Sequence, residues 1–90
     1  MKQIAVIVTG RVQGVAFRAW TRDQAQGLGL RGWVRNRPDG SVEALLGGDA
    51  DRVDAMLGRM QEGPGMARVD ALDHGPAEEA ELPRGFEIRR

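Results

Sequence analysis

The stretch Gly10-Arg11-Val12-Gln13-Gly14-Val15-Ala16-Phe17-Arg18 is where this chain could do chemistry. Its two glycines and its lack of any helical period make residues 10–16 a loop, and the apolar spacing that begins at Phe17 makes the following residues a helix. A loop running into a helix start leaves backbone N–H groups without carbonyl partners, and such groups can converge on an anion. Gly14 lets the backbone approach a ligand closely, and Arg18 in the first helical turn offers a guanidinium able to grip a phosphate through two donors. The same spacing also fits a plain glycine loop with a solvated arginine, so on its own it leaves both readings open. It is neither a P-loop, since no Lys-Ser or Lys-Thr follows, nor a GxGxxG turn.

The rest of the inventory narrows the chemistry. The chain has no cysteine, which removes disulfides, thiolate metal sites and a thiol nucleophile together. It has one histidine, His74, far in sequence from the loop and read as an exposed strand end. Asp49, Asp51 and Asp54 read as a helix cap and a solvated face, without the spacing of a metal loop, so no metal or cofactor is expected. The 13 basic and 13 acidic residues cancel, yet residues 1–40 hold seven basic against two acidic side chains, a net +5. A neutral chain with a basic first half suits a local site for a small anion and not a nucleic-acid surface.

The elements that must position the loop follow from periodicity. Ninety residues with 41% hydrophobic and 29% charged side chains make one soluble globular domain over residues 1–90. Ile4 to Val8 is an apolar strand ending at Thr9-Gly10. Phe17, Thr21, Ala25 and Leu28 recur at helical spacing, with Gly29 as the C-terminal stop. Leu30–Asn36 and Ser41–Leu46 form a hairpin around the Pro38-Asp39-Gly40 turn, and Gly47-Gly48 is expected to break the chain. Asp49 caps a second helix carrying Val53, Met56, Leu57 and Met60 on one face, ended by Gly63-Pro64-Gly65. Arg68–His74 is a fourth strand, 75–83 an exposed loop, and Phe86-Glu87-Ile88 a short closing strand. The order β-α-β-β-α-β plus a short strand predicts an α+β, ferredoxin-like split β-α-β sandwich, with two helices on one face of an antiparallel sheet.

Two blocks then carry a resemblance. Gly10 to Arg18, followed by Leu28-Gly29-Leu30-Arg31-Gly32-Trp33-Val34-Arg35-Asn36 and Asp39-Gly40-Ser41-Val42-Glu43, is similar to the acylphosphatase family in both signatures and in their separation. The match is clear over residues 4–47, and the remainder agrees in the order of elements. The resemblance implies the same ferredoxin-like fold and metal- and cofactor-independent hydrolysis of the carboxyl–phosphate anhydride. It places the phosphate-binding arginine on Arg18 and the water-positioning asparagine on Asn36, with Gln13, Gly14, Val15, Ala16 and Phe17 joining Arg18 around the substrate.

The residue types agree with that substrate. A phosphate monoester expels an alkoxide and wants a general acid or a metal. An acyl phosphate expels a carboxylate, whose acid has a pKa of about 4, and needs no protonation. Its transition state is loose, so charge stabilisation by Arg18 and the N–H groups of residues 13–17 would suffice. Asn36 is no base, but its amide oxygen can accept a hydrogen bond from water and aim it. Arg11 and Arg35 are read as solvated or as adding to the local field, and Arg37 as an added charge beside Asn36. Thr21 packs in its helix with a hydroxyl that could bond near Asn36. Trp33 is read as sheet packing.

A non-catalytic phosphate or acyl-phosphate binding module is the alternative reading. An RNA-binding domain of this fold is disfavoured, because strands one and three carry no aromatic residue for base stacking. The 90-residue length, start Met and completed sheet lead us to expect a free-standing protein, with monomer as the default state. The absence of an apolar run near 20 residues and of a signal-peptide pattern leads us to expect a cytoplasmic protein, with a small acyl phosphate as its partner and neither nucleic acid nor membrane.

Overall fold

The computed structural model describes residues Met1–Arg90. Its elements are β1 (Lys2–Arg11), α1 (Phe17–Gly27), β2 (Arg31–Asn36), β3 (Val42–Gly48), α2 (Ala50–Glu62), β4 (Arg68–Pro76) and β5 (Phe86–Arg89). The strands form one sheet in the order β4-β1-β3-β2-β5. No helix is long and apolar enough to cross a membrane.

Both β1 and β2 pair antiparallel with β3, so they run parallel to each other with β3 between them. Each helix therefore links two parallel, non-adjacent strands, as the split β-α-β reading requires. The expectation of a wholly antiparallel sheet is corrected at one edge: β5 pairs parallel with β2, Gly32 opposite Phe86 and Val34 opposite Ile88, which makes the sheet mixed. Strand direction is not encoded in the alternation of Phe86 and Ile88; it is set by how the loop before them crosses.

Alternation decides which sheet face the helices cover. Ile4, Val6 and Val8 of β1 sit beside Leu46, Ala44 and Val42 of β3 in register, and Val34 of β2 lies opposite Ala44. These residues are buried against Phe17, Thr21 and Ala25 of α1 and Val53, Met56 and Met60 of α2. Each large apolar side chain buried here contributes roughly 1.5–3 kcal/mol. On the opposite face Trp33 lies between the guanidiniums of Arg35 and Arg89, at 5.1 and 5.3 Å from its ring, as sheet-face packing.

Local chemistry sets the element ends. α1 stops in a Schellman motif, with Leu30 N–H donating to Ala25 O and Gly29 N–H to Gln26 O around Gly29 at φ 69°. Asp49 caps α2 by accepting from Asp51 N–H at 3.0 Å. Gly47-Gly48 does not break the chain as expected: both continue β3, paired with Gln3 and Lys2. The glycine at 47 makes room, since a Cβ there would collide with the Leu82 side chain. The first strand is longer than its apolar run because Thr9, Gly10 and Arg11 extend the pairing with β4 across a bulge between Thr9 and Gly10. At that bulge Gly10 has φ 128°, and any Cβ would overlap the Arg68 carbonyl. The bulge turns the strand end into the loop before α1.

Candidate active site

Because β1, β2 and β5 all run the same way, their carboxyl ends meet at one edge of the sheet. Arg11 leads there into the loop before α1, Asn36 ends β2, and Ile88 lies near the end of β5. The resulting pocket, of about 180 Å³, is lined by Val12, Gly14, Ala16, Phe17, Arg18, Ala19, Asn36 and Ile88. The topology thus brings Arg18 and Asn36 to one cavity although they lie far apart in sequence. Asn36 reaches it because Val34 faces the helices, and a step of two along β2 keeps the same face.

The loop is built to leave donors free. From Val12 through Ala19 no backbone N–H donates a hydrogen bond within the chain; the helical ladder begins with Trp20 N–H to Ala16 O at 3.0 Å. The contrast with α2 is informative. That helix is capped by Asp49 and has Asp51 in its first turn, whereas α1 has no side-chain cap and no acidic residue there. The positive end of the α1 dipole therefore stays uncompensated at the pocket.

Ala16, the residue before α1, has φ 59° and ψ 25°, and no other non-glycine residue has positive φ. Gly14 has φ 73°. Left-handed residues at 14 and 16 curl the loop that carries these free N–H groups. An alanine in this region costs about 1–2 kcal/mol relative to its ordinary conformations, a strain of the kind that collects at ligand clamps.

The Arg18 guanidinium makes no hydrogen bond or ion pair with the chain. Arg35, by contrast, is bonded to Glu43 at 2.6 Å. Asn36 is half-buried; its Oδ1 is buried without a hydrogen-bond partner, so Nδ2 is the open end of the amide. Thr21 Oγ1 is the other buried side-chain oxygen without a partner.

Of the residues expected around the substrate, Gly14, Ala16, Phe17 and Arg18 line the pocket together with Asn36. Val15 packs against the core beside it. The Gln13 side chain is turned away: its Nε2 donates to Arg37 O and Ser41 O, both at 2.8 Å. That tie holds the loop to the β2–β3 turn, and no signal in residue type reveals it. Val12, Ala19 and Ile88 were not expected. Ile88 was within reach of the sequence, since it alternates with the buried Phe86.

The turn beyond Asn36 is also held by Asp39, whose Oδ1 accepts from Ser41 N–H at 2.9 Å and from its hydroxyl. The Ser41 hydroxyl, then the Ser41 N–H, holds the Asp39 carboxyl below its usual 3.8.

The ferredoxin-like α+β scaffold thus carries an uncapped helix start, a free guanidinium and an amide at one edge of its sheet, a candidate site for a small anion. A sequence model described as Acylphosphatase matches residues 4–88. The acylphosphatase of Nitrobacter hamburgensis is 58% identical over 71 residues, 79% of this chain and 72% of that protein. The acylphosphatase of Rhizobium meliloti is 52% identical over 85 residues, 94% of this chain and 90% of that one. The crystal structure of acylphosphatase from Bacillus subtilis superimposes with a TM-score of 0.94 at 33% identity, covering 100% of both chains. The chain belongs to the acylphosphatase family.

Proposed function

We propose that this acylphosphatase-family enzyme hydrolyses acyl phosphates, with the phosphate held by Arg18 and the loop N–H groups and the water placed by Asn36. The reading rests above all on the uninterrupted run of free N–H groups from Val12 to Ala19 beside an unpaired Arg18 guanidinium. Such donors match the equatorial oxygens of a transferring phosphoryl group, whose charge they stabilise without reorganising.

Water attacks phosphorus as the bond to the acyl oxygen breaks. The bonding pair leaves with the carboxylate, and the products are a carboxylate and inorganic phosphate. The leaving group needs no proton, because its acid has a pKa of about 4. The Asn36 amide fixes the water in line, and the water's proton passes to a phosphate oxygen of the substrate. Positioning of this kind is worth a factor of about 100 for a misplacement near 1 Å.

The test is hydrolysis of benzoyl phosphate by the purified protein in excess chelator. Hydrolysis is expected in the native protein. Arg18→Ala should raise KM and lower kcat by about 100- to 1,000-fold, and Asn36→Ala should lower kcat with phosphate inhibition retained. Phosphate binding without any hydrolysis would instead establish the non-catalytic module.

A further inference from the structure

Just two buried side-chain oxygens lack a hydrogen-bond partner, Thr21 Oγ1 and Asn36 Oδ1. Native interiors pair nearly all such atoms, so two orphans, one on a residue that lines the pocket and one on the helix whose first turn lines it, call for a joint explanation. Their chemistry is complementary. A threonine hydroxyl can donate, and an amide oxygen only accepts.

Their placement is complementary as well. Thr21 is fully buried on the face of α1 that also carries Phe17 and Ala25. It lies one helical turn beyond Phe17 and Arg18, which line the pocket with Asn36. Asn36 stands on the sheet face that α1 covers, in line with buried Val34. Helix and strand thus present their unpaired oxygens from the two sides of the same layer.

We propose that Thr21 is a positioning residue for Asn36: the two unpaired oxygens share one buried water that links the Thr21 hydroxyl to Oδ1 and so fixes the plane of the amide. Holding Oδ1 by this link leaves Nδ2 as the end turned to the reacting water. The role of Thr21 rests on the proposed role of Asn36, and Thr21 itself touches no reacting atom.

The experiment is a double-mutant cycle on benzoyl phosphate hydrolysis, with inorganic phosphate as the inhibitor. Thr21→Val, close in shape and lacking the hydroxyl, should lower kcat by about 10- to 100-fold. KM and the phosphate inhibition constant should stay within about twofold, because the Arg18 loop is intact. Thr21→Ser should restore kcat to within about threefold of the native value, and Thr21→Val in an Asn36→Ala background should cost nothing further. An equal loss of kcat in both backgrounds, a native kcat in Thr21→Val, or failure of folded Thr21→Ser to recover would overturn the proposal. A second measurement uses the unmodified protein and needs neither turnover nor a stable variant. By NMR, the Thr21 hydroxyl proton should be protected from solvent exchange and show cross-peaks to the Asn36 side chain; a freely exchanging hydroxyl contradicts the coupling. If the native protein fails to hydrolyse benzoyl phosphate while this contact is present, the proposed function falls and the coupling stands.

Discussion

The Nε2 of Gln13 donates to the carbonyl of Arg37 at 2.8 Å, across 24 residues of sequence. With its second bond, to Ser41 O, it fastens the loop before α1 to the turn that follows Asn36. The loop that leads into Arg18 and the turn that follows Asn36 are thus tied together by a side chain that is itself turned away from the pocket.

That tie can be cut. Gln13→Ala should lower unfolding stability by about 1–2 kcal/mol, the loss of two hydrogen bonds, measured by urea denaturation. The effect on kcat should be larger than on KM, because the variant loosens the register of Asn36 against Arg18 more than the loop itself. Native kcat and native stability together would show that the tie is dispensable.

Ala16 offers a test of stored strain. At φ 59° a glycine is relaxed and a β-branched residue is severely hindered. Ala16→Gly should match or exceed native stability, by up to about 1 kcal/mol once the greater entropy of unfolded glycine offsets part of the gain. Ala16→Val should destabilise by more than 1–2 kcal/mol, on the order of the αL penalty. The pair is read from thermal or urea unfolding, and the reverse order would contradict the left-handed turn.

How far the sequence foretold this arrangement differs from element to element. The alternation of Ile4, Val6 and Val8 and the helical spacing of Phe17, Thr21 and Ala25 carried the layers, since burial itself creates those periods. The glycines at 47 and 48 misled, because glycine in a strand and glycine in a break look alike until Leu82 is seen to fill the space above one of them. The parallel direction of β5 depends on a loop path, which no local propensity encodes. Arg18 was legible in type, but spacing alone could not separate an anion ligand from a solvated arginine; only the resemblance of two blocks favours the first. The roles of Gln13 and Ala16 were hidden, because one depends on carbonyls distant in sequence and the other on a conformation that alanine does not favour.

Asp39 makes a pH prediction. Its folded-state pKa lies below the ordinary 3.8, chiefly through the Ser41 hydroxyl and then the Ser41 N–H. Between the two values the unfolded chain binds the proton more readily, so stability falls as pH drops below about 3.8 and is fully present above it. Urea midpoints measured from pH 6 to pH 2.5 should decline in that acid range, and Asp39→Asn should decline less steeply. Identical acid profiles would remove the Asp39–Ser41 bond from the account.

Charge around Asn36 makes another. A second concavity that shares Asn36 is lined by Arg35, Arg37, Pro38 and Arg90. Arg35 is neutralised by Glu43, while Arg37 and Arg90 have no ion-pair partner. With Arg18 they surround the site with positive field, which draws in anions and is screened by salt. The kcat/KM of the native enzyme should fall as ionic strength rises, and Arg37→Gln should flatten that slope. A slope unaltered by Arg37→Gln would place the steering charge elsewhere.

The most direct test of the central claim is a titration of the native protein with inorganic phosphate, followed by amide and guanidinium NMR. Saturable shifts should concentrate on the backbone N–H groups between Gln13 and Ala19 and on the Arg18 Nε–H, with the Asn36 side-chain amide moving beside them. Shifts centred on the groove formed by Lys2, His74 and Glu78, or none at the Arg18 loop, would contradict it.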